Sequence, residues 1–133
     1  AEYEGVGPVS ISSISERQDI SERYLEQLMA KMKKAGLVKS VRGAGGGYIL
    51  ARKASEISVG DVLRALEGSV EPVTCAAFHP EETCTVKDRC VAKYVWQKVN
   101  ESVTATVDGI MIDTLIKETN QKETNQKEEN QKI

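Results

Sequence analysis

The chain has 133 residues, of which 40% are hydrophobic and 29% are charged, and its formal net charge is −2. This length accommodates one compact core plus an extension, and it excludes two ordinary domains that each bury a full core. The apolar runs are far shorter than the ~20 residues that a membrane-spanning helix needs. We therefore expect a single-core protein without a membrane location.

The charge is distributed unevenly along the sequence. Residues 17–53 contain nine Lys or Arg and three acids, a local net charge of +6, while the remainder of the chain carries −8. A basic block within an acidic chain is typical of a phosphate-binding site. Taken alone, however, the charge favours an ordinary solvated face over a binding site.

The cysteine content indicates the compartment. Three cysteines cannot all pair within one chain, and the sequence contains no secretory signal. We expect a cytoplasmic protein whose cysteines are thiols or metal ligands, because disulfides are rare in a reducing compartment.

The first elements predict a helix-turn-helix. The start resembles the last turn of a helix ending at Gly5, so we expect further residues before Ala1 in the complete protein. Residues 10–17 predict a short helix capped by Ser10 or Ser12. After a break at 19–21, a second helix is predicted from a Ser21 cap to about residue 35, with Gly36 at the stop position. Its apolar stripe comprises Tyr24, Leu25, Leu28, Met29 and Met32.

A β-hairpin is predicted next. Two strand candidates, residues 37–42 and 48–51, flank the glycine-rich segment 43–47. The glycines permit positive φ and close approach to another molecule. A dinucleotide-phosphate loop is the alternative, but it would open a helix, and this segment runs into a strand.

The second half contains three further helix candidates. Ser58 with Asp61 predicts a capped helix ending at Gly68. A long helix is predicted over about residues 88–107, and its wide apolar face favours packing against a second subunit over packing within one chain. It contains valines at every fourth position: Val91, Val95, Val99, Val103 and Val107. A short helix over 112–117 is predicted to precede the polar repeat 118–132, expected to be mobile or a frayed helical extension.

These predictions define the fold class as mainly α with a small β-hairpin, a winged helix-turn-helix domain followed by a long dimerisation helix. The predicted parts are residues 1–68 for the DNA-binding domain, 69–90 for a cysteine-bearing loop, 88–117 for the dimerisation and short terminal helices, and 118–133 for the polar tail.

The second helix of a helix-turn-helix enters the DNA major groove with its first turns towards the bases. Arg23, Glu26 and Gln27 occupy those turns, and their side chains can pair with guanine, cytosine and adenine respectively. Arg42, just before the glycines, is placed to enter the minor groove. If no hairpin followed this helix, the simpler interpretation of these residues as ordinary exposed side chains would be preferred.

Four motifs identify a family resemblance: I-S-E-R-Q at 14–18, Y-L-E-Q-L at 24–28, G-L-V at 36–38 and V-R-G-A-G-G-G-Y at 41–48. They closely resemble the IscR-type family of iron-sulfur cluster regulators, whose relatives include the nitric-oxide sensor NsrR and the cysteine-metabolism repressor CymR. The resemblance covers roughly residues 7–115. It implies a winged-helix homodimer bound to a double-stranded DNA operator, and family members usually have another helix ahead of the position of Ala1. The predicted DNA-binding residues are Ser21, Arg23, Tyr24, Glu26, Gln27, Arg42 and Gly43.

The cysteines are candidate iron ligands. Cys75, Cys84 and Cys90 are separated by eight and five residues, whereas zinc fingers and ribbons favour close pairs. Three soft ligands suit a [2Fe-2S] cluster, which needs four. Three unligated thiols are the alternative, since CymR-like relatives lack the full cysteine set.

The ligand pattern departs from that of IscR, which has five residues in both gaps and a His three positions after the last cysteine. Lys93 occupies that position here, and a protonated Lys is a poor iron ligand. The fourth ligand must come from elsewhere: His79, Asp88, a glutamate such as Glu81, or a residue before Ala1. His79 is the only imidazole and is a candidate only, because a lone loop His is more often solvated.

The predicted function is a DNA-binding transcriptional regulator controlled by an iron-sulfur cluster that reports iron or redox status. One alternative is a cluster-free repressor of cysteine metabolism that senses thiol oxidation or a partner. Another is a small iron-sulfur electron carrier. An enzyme is not expected, because the sequence offers no nucleophile with a base, no paired catalytic carboxylates and no nucleotide site.

Overall fold

The computed structural model describes residues 1–72 and 91–132. Over these residues the chain is mainly helical with one two-stranded hairpin, which confirms the predicted fold class. The elements in order are α1 Ile11–Gln18, α2 Glu22–Lys34, β1 Val38–Val41, β2 Gly47–Leu50, a 3-10 helix Ala54–Glu56, α3 Val59–Glu67, α4 Val91–Gly109 and α5 Ile112–Gln131.

Serine caps fix the starts of the first three α-helices. Ser10, Ser21 and Ser58 each accept a hydrogen bond from the backbone N–H three residues on, at 3.1, 3.2 and 3.0 Å. Asp61 completes a capping box by accepting from the Ser58 backbone N–H at 3.0 Å. Each cap satisfies a backbone donor that has no partner within its helix. The three predicted starts are confirmed, with Ser10 rather than Ser12 capping α1.

The hairpin pairs with a third segment that the sequence did not predict. β1 and β2 are antiparallel, with Val41 opposite Gly47. On the other side of β2, Val9 and Tyr48 exchange two backbone hydrogen bonds of 3.0 and 2.8 Å. The wing, defined here as residues 38–50, is therefore fastened near the loop end of β2 to the segment that enters α1.

Gly47 is required where these backbones meet. Its φ is +153°, and a Cβ at this position would collide with the Val9 carbonyl group and the Ser10 nitrogen. Gly47→Ala is expected to lower the free energy of unfolding by about 1–3 kcal/mol. The new side chain would strain the backbone at this positive φ, and the backbone atoms that it meets cannot move aside as a flexible side chain could. Urea unfolding measures this loss. Gly45→Ala is the matched control, since Gly45 has open space around its Cβ position and should change stability by about 0.5 kcal/mol or less. Equal effects of the two substitutions would contradict the assignment.

The core is small and lies between α2, the base of the wing and the 3-10 helix. Its buried apolar residues are Leu25, Leu37, Val38, Ala54 and Ile57. Leu28, Met29 and Met32 are half-buried, in agreement with the predicted stripe of α2. Tyr24 was wrongly included in that stripe, since 53% of this residue is exposed. It lies next to the buried Leu25 in sequence, but at the outer edge of the buried face of α2.

α3 is joined to the α4–α5 connection by two backbone hydrogen bonds. The Val59 N–H donates to the Ile110 carbonyl at 2.8 Å, and the Ile112 N–H donates to the Ile57 carbonyl at 2.9 Å. One turn further along α3, Arg64 donates to Asp108 of α4 through both terminal nitrogens, each at 2.7 Å. We call these contacts the α3–α4 joint. They connect the winged-helix part to the long helix.

The Arg64 contact gives the joint a pH dependence. The hydrogen bond from Arg64, with its positive charge, holds the pKa of Asp108 below its usual value. A carboxyl whose pKa is lowered by folding contributes stability above its unfolded pKa and loses that contribution as the pH falls through its folded pKa. The stability difference between the parent chain and Asp108→Asn is therefore expected to be constant above about pH 5 and to shrink below about pH 4. Thermal unfolding across this range measures it, and a difference that stays the same at pH 3 and 7 would contradict it.

The two C-terminal helices differ from their predicted limits. α4 ends at Gly109 rather than near Val107, and its predicted first residues, 88–90, lie outside the described residues. The terminal helix does not end at 117, since α5 continues through the polar repeat to Gln131; of the two alternatives for the repeat, the structure shows the helical extension. The physical reason is local: Glu, Gln and Lys favour helix, and each repeat places Glu four residues before Lys. All side chains of residues 117–132 are exposed.

Among the described residues, none of the helices combines the length and the apolar character that crossing a membrane requires.

Candidate nucleic-acid interface

The first two turns of α2 present a polar face. Arg23, Glu26 and Gln27 are exposed, while Leu25 between them is only 5% exposed. This alternation follows from the helical period, which turns Leu25 inward when its polar neighbours point outward. Ser21 is also exposed and caps the helix. α2 is thus anchored by one side and accessible on the other.

The polar side chains of this face are unengaged. Within residues 1–72 and 91–132, Arg23, Glu26, Gln27 and Arg42 make no side-chain hydrogen bond or ion pair. Their donors and acceptors are therefore available to another molecule. Tyr24 adds a half-exposed aromatic hydroxyl to the same turns.

The wing loop comprises residues 42–46 and begins with Arg42 and Gly43, both exposed. The Gly46 N–H donates to the Gly43 carbonyl at 3.0 Å and closes the turn. Lys33, near the end of α2, donates through Nζ to the Ser40 hydroxyl of β1 at 2.9 Å. The helix and the wing are therefore linked by a side-chain contact as well as by the short connection through Gly36.

The structure divides the basic block into bound and free cations. Arg17 donates to the Tyr3 hydroxyl at 2.7 Å and lies over that ring, 4.7 Å from its centre. Lys31 donates to the Leu66 carbonyl at 3.3 Å, and Lys33 contacts Ser40 as described. The six other cations of the block make no such contact within the described part of the chain: Arg23, Lys34, Lys39, Arg42, Arg52 and Lys53. The charge count alone did not reveal this division, because the partners of the bound cations are neutral.

The predicted iron ligands Cys75, Cys84 and Cys90, together with His79, lie outside the described residues. Lys93 lies in the first turn of α4 and is half-buried. Within the two described ranges there is no group of three or more His, Cys, Asp or Glu side chains that could hold a metal ion.

The described elements form a winged helix-turn-helix, a class of DNA-binding protein. It consists of a capped short helix, a second helix with a polar outer face and a glycine-rich hairpin beside that helix. The family comparison agrees: residues 1–118 match the model of the Rrf2 family, described as iron-dependent transcriptional regulators. The chain belongs to this family, which consists of regulators rather than enzymes.

Similar proteins carry the same fold. The transcriptional regulator IscR of Pectobacterium atrosepticum is 44% identical over 110 residues, which are 83% of this chain and 65% of that protein. The chain therefore spans about two thirds of the length of that curated relative. Among solved structures, T. potens IscR is 47% identical with a TM-score of 0.70, covering 89% of this chain and 75% of that one. CymR, the global cysteine regulator of B. subtilis, is 36% identical with a TM-score of 0.68, covering 86% and 81%.

Proposed function

We propose that this chain binds operator DNA as a homodimer, with α2 in the major groove and the wing loop against the adjacent minor groove. The observation that carries the proposal is the exposed, unengaged polar face of α2, which no packing requirement of the fold explains. Arg23, Glu26 and Gln27 supply donors and acceptors for base edges, with Ser21 and Tyr24 at the same end of the helix. Arg42 and Gly43 are the wing contacts, and the free cations of the block neutralise phosphates.

The exposed apolar residues at the start of α4 support the dimer. Its first two turns expose large apolar side chains: Val91 at 85%, Tyr94 at 66%, Val95 at 50% and Trp96 at 41%. Large exposed apolar patches commonly mark interaction surfaces, and a second copy of the same helix would cover these side chains by symmetry. A two-fold dimer would also present two copies of α2 to half-sites about 34 Å apart.

We further propose that Cys75, Cys84 and Cys90 hold a [2Fe-2S] cluster, with a fourth ligand from another group such as His79. The donor set fits, because three thiolates within sixteen residues are soft ligands of the kind that iron-sulfur clusters use. When bound, the cluster supplies a redox-active and labile iron centre. The resemblance to IscR supports this assignment.

Regulation would act through the connection between α3 and α4. The three cysteines lie in the segment that joins these helices, and the α3–α4 joint fastens the same two helices together. Ligation by three thiolates of the connecting sequence would couple the cluster to the placement of the winged-helix part relative to α4. Both copies of α2 must bind their half-sites at the same time. A change in the position of the winged-helix part relative to α4 therefore alters operator affinity.

A cluster-free regulator is the second candidate. The similarity to CymR favours it, together with Lys93 at the position where the IscR pattern has a His. In that case the thiols would respond to oxidation or to a partner protein, while the DNA interface stayed the same.

One experiment separates the two candidates. The full-length protein, purified anaerobically, is analysed for iron and sulfide and its visible spectrum is recorded, and the same sample is used to select duplexes from random DNA. The proposal expects iron and sulfide in equal amounts, absorbance above about 300 nm and a selected operator with two half-sites. If the protein selects a DNA sequence but contains no iron, the result would support the cluster-free regulator. If it contains iron but selects no DNA sequence, the result would support an electron carrier.

A further inference from the structure

The α3–α4 joint has a geometry that suits positioning more than stabilisation. Arg64 and Asp108 form a two-point contact with both nitrogen–oxygen distances at 2.7 Å, yet their side chains remain 40% and 39% exposed. An ion pair that exposed makes only a small contribution to the free energy of folding, measurable as the pH-dependent difference described above but too small to explain its two-point geometry. A two-point guanidinium–carboxylate contact nevertheless fixes the relative orientation of the groups that it joins.

Gly60 brings the two helices close together. It is buried in the first turn of α3, and a Cβ there would collide with Asp108 Oδ1 and lie 3.1 Å from Arg64 Nη1. The carboxylate of Asp108 thus sits directly against the backbone of α3. With the backbone hydrogen bonds of Val59 and Ile57 to the α4–α5 connection, α3 is held both at its start and at Arg64 in its second turn.

The joint lies between the two parts whose relative placement matters for DNA. α3 packs against α2, and the Lys31 side chain of α2 also reaches the Leu66 carbonyl of α3. On the other side, Asp108 belongs to α4, which carries the exposed apolar turns. A rotation at the joint would therefore change the distance between two recognition helices in a dimer.

We propose that Arg64 and Asp108 are positioning residues that set the half-site spacing accepted by the dimer. This inference rests on the proposed DNA-binding function and deepens it, because it assigns spacing selectivity to two residues that belong neither to the proposed DNA contacts nor to the proposed cluster ligands. Holding α3 at one angle to α4 restricts the separation of the two copies of α2. Loss of the contact widens the range of spacings that bind.

The test uses the operator selected with the parent protein, versions with one base pair added or removed between half-sites, and a duplex with one half-site. Asp108→Asn is expected to reduce the preference for the parental spacing by about fivefold, the lower end of typical coupling between sites. Affinity for the single half-site should not change. Gly60→Ala should have the same effect without removing either charged group, because its methyl displaces the carboxylate.

Rescue separates positioning from folding. Arg64→Asp combined with Asp108→Arg restores a pair of opposite charge and should recover part of the spacing preference that either single change loses. The inference is overturned if the spacing preference stays unchanged in Asp108→Asn, or if single-site and two-site affinities fall in parallel, which would mark a structural role only. If the parent protein binds none of these duplexes, the proposed function itself is wrong, an outcome distinct from the other two.

Discussion

Arg42→Ala is expected to weaken binding to the selected operator by about 1–3 kcal/mol, roughly five- to 150-fold in Kd. Arg42 is exposed at the start of the wing loop and makes no side-chain hydrogen bond or ion pair within the described chain, so its loss removes the proposed DNA contact without breaking such a bond in the fold. The iron content and the visible spectrum should stay the same. Fluorescence anisotropy with a labelled duplex measures the change at fixed salt.

Two control variants make this result specific. Lys132→Ala removes the same charge from the exposed end of the chain and should leave affinity within experimental error. Lys39→Ala removes a free cation from β1 and should weaken specific and non-specific duplexes to a similar degree, as a phosphate contact does. If Arg42→Ala and Lys132→Ala had equal effects, the wing would have no place in the interface.

Cys84→Ala is expected to abolish the absorbance above about 300 nm and the bound iron and sulfide, because an iron-sulfur cluster depends on its thiolate ligands. The protein should remain a folded dimer, since the buried core lies in α2, the wing base and the 3-10 helix. Iron and sulfide analysis with size-exclusion chromatography measures both properties.

Lys93→Ala is the matched control for this substitution. Lys93 lies three residues after Cys90 but has no ligand character when protonated, so its removal should leave the spectrum in place. His79→Ala then tests the fourth ligand: a shifted or lost spectrum supports His79, and an unchanged one excludes it. A Cys84→Ala variant that retained full iron content would refute the proposed cluster site.

The parts of the fold that depend on local chemistry were predictable from the sequence. The serine caps at 10, 21 and 58 and the stop at Gly36 act through neighbouring backbone groups, so their meaning can be inferred from a few residues. The same holds for the polar outer face of α2, which follows from the helical period. The exposure of Arg23, Glu26 and Gln27 was therefore expected before the structure.

Features that depend on distant contacts were not predictable. The pairing of Val9 with Tyr48 joins segments about forty residues apart, and a single bridging residue leaves no alternating pattern. The glycine-rich turn was expected to approach another molecule, yet Gly47 instead meets the backbone of Val9 in the same chain. The pair of Arg64 and Asp108 was missed for the same reason, since the two residues are 44 positions apart.

The continuation of α5 through the repeat shows a different limit. Because the repeat has no apolar residues to offset the cost of ordering it, the predicted helix ended at 117 and the repeat was expected to be either mobile or a frayed helical extension. Local helix propensity, together with the spacing of Glu and Lys in each repeat, outweighs that argument once Ile112 and Ile116 have started the helix.

The central claim is that α2 and the wing bind a DNA duplex and that the thiolates control this binding. The most direct measurement is the Kd for the selected operator, determined anaerobically with the same preparation before and after iron is removed by chelation. The account predicts specific binding by at least one form and Kd values that differ by about fivefold or more. Equal Kd values for the two forms, or no specific binding by either, would contradict it.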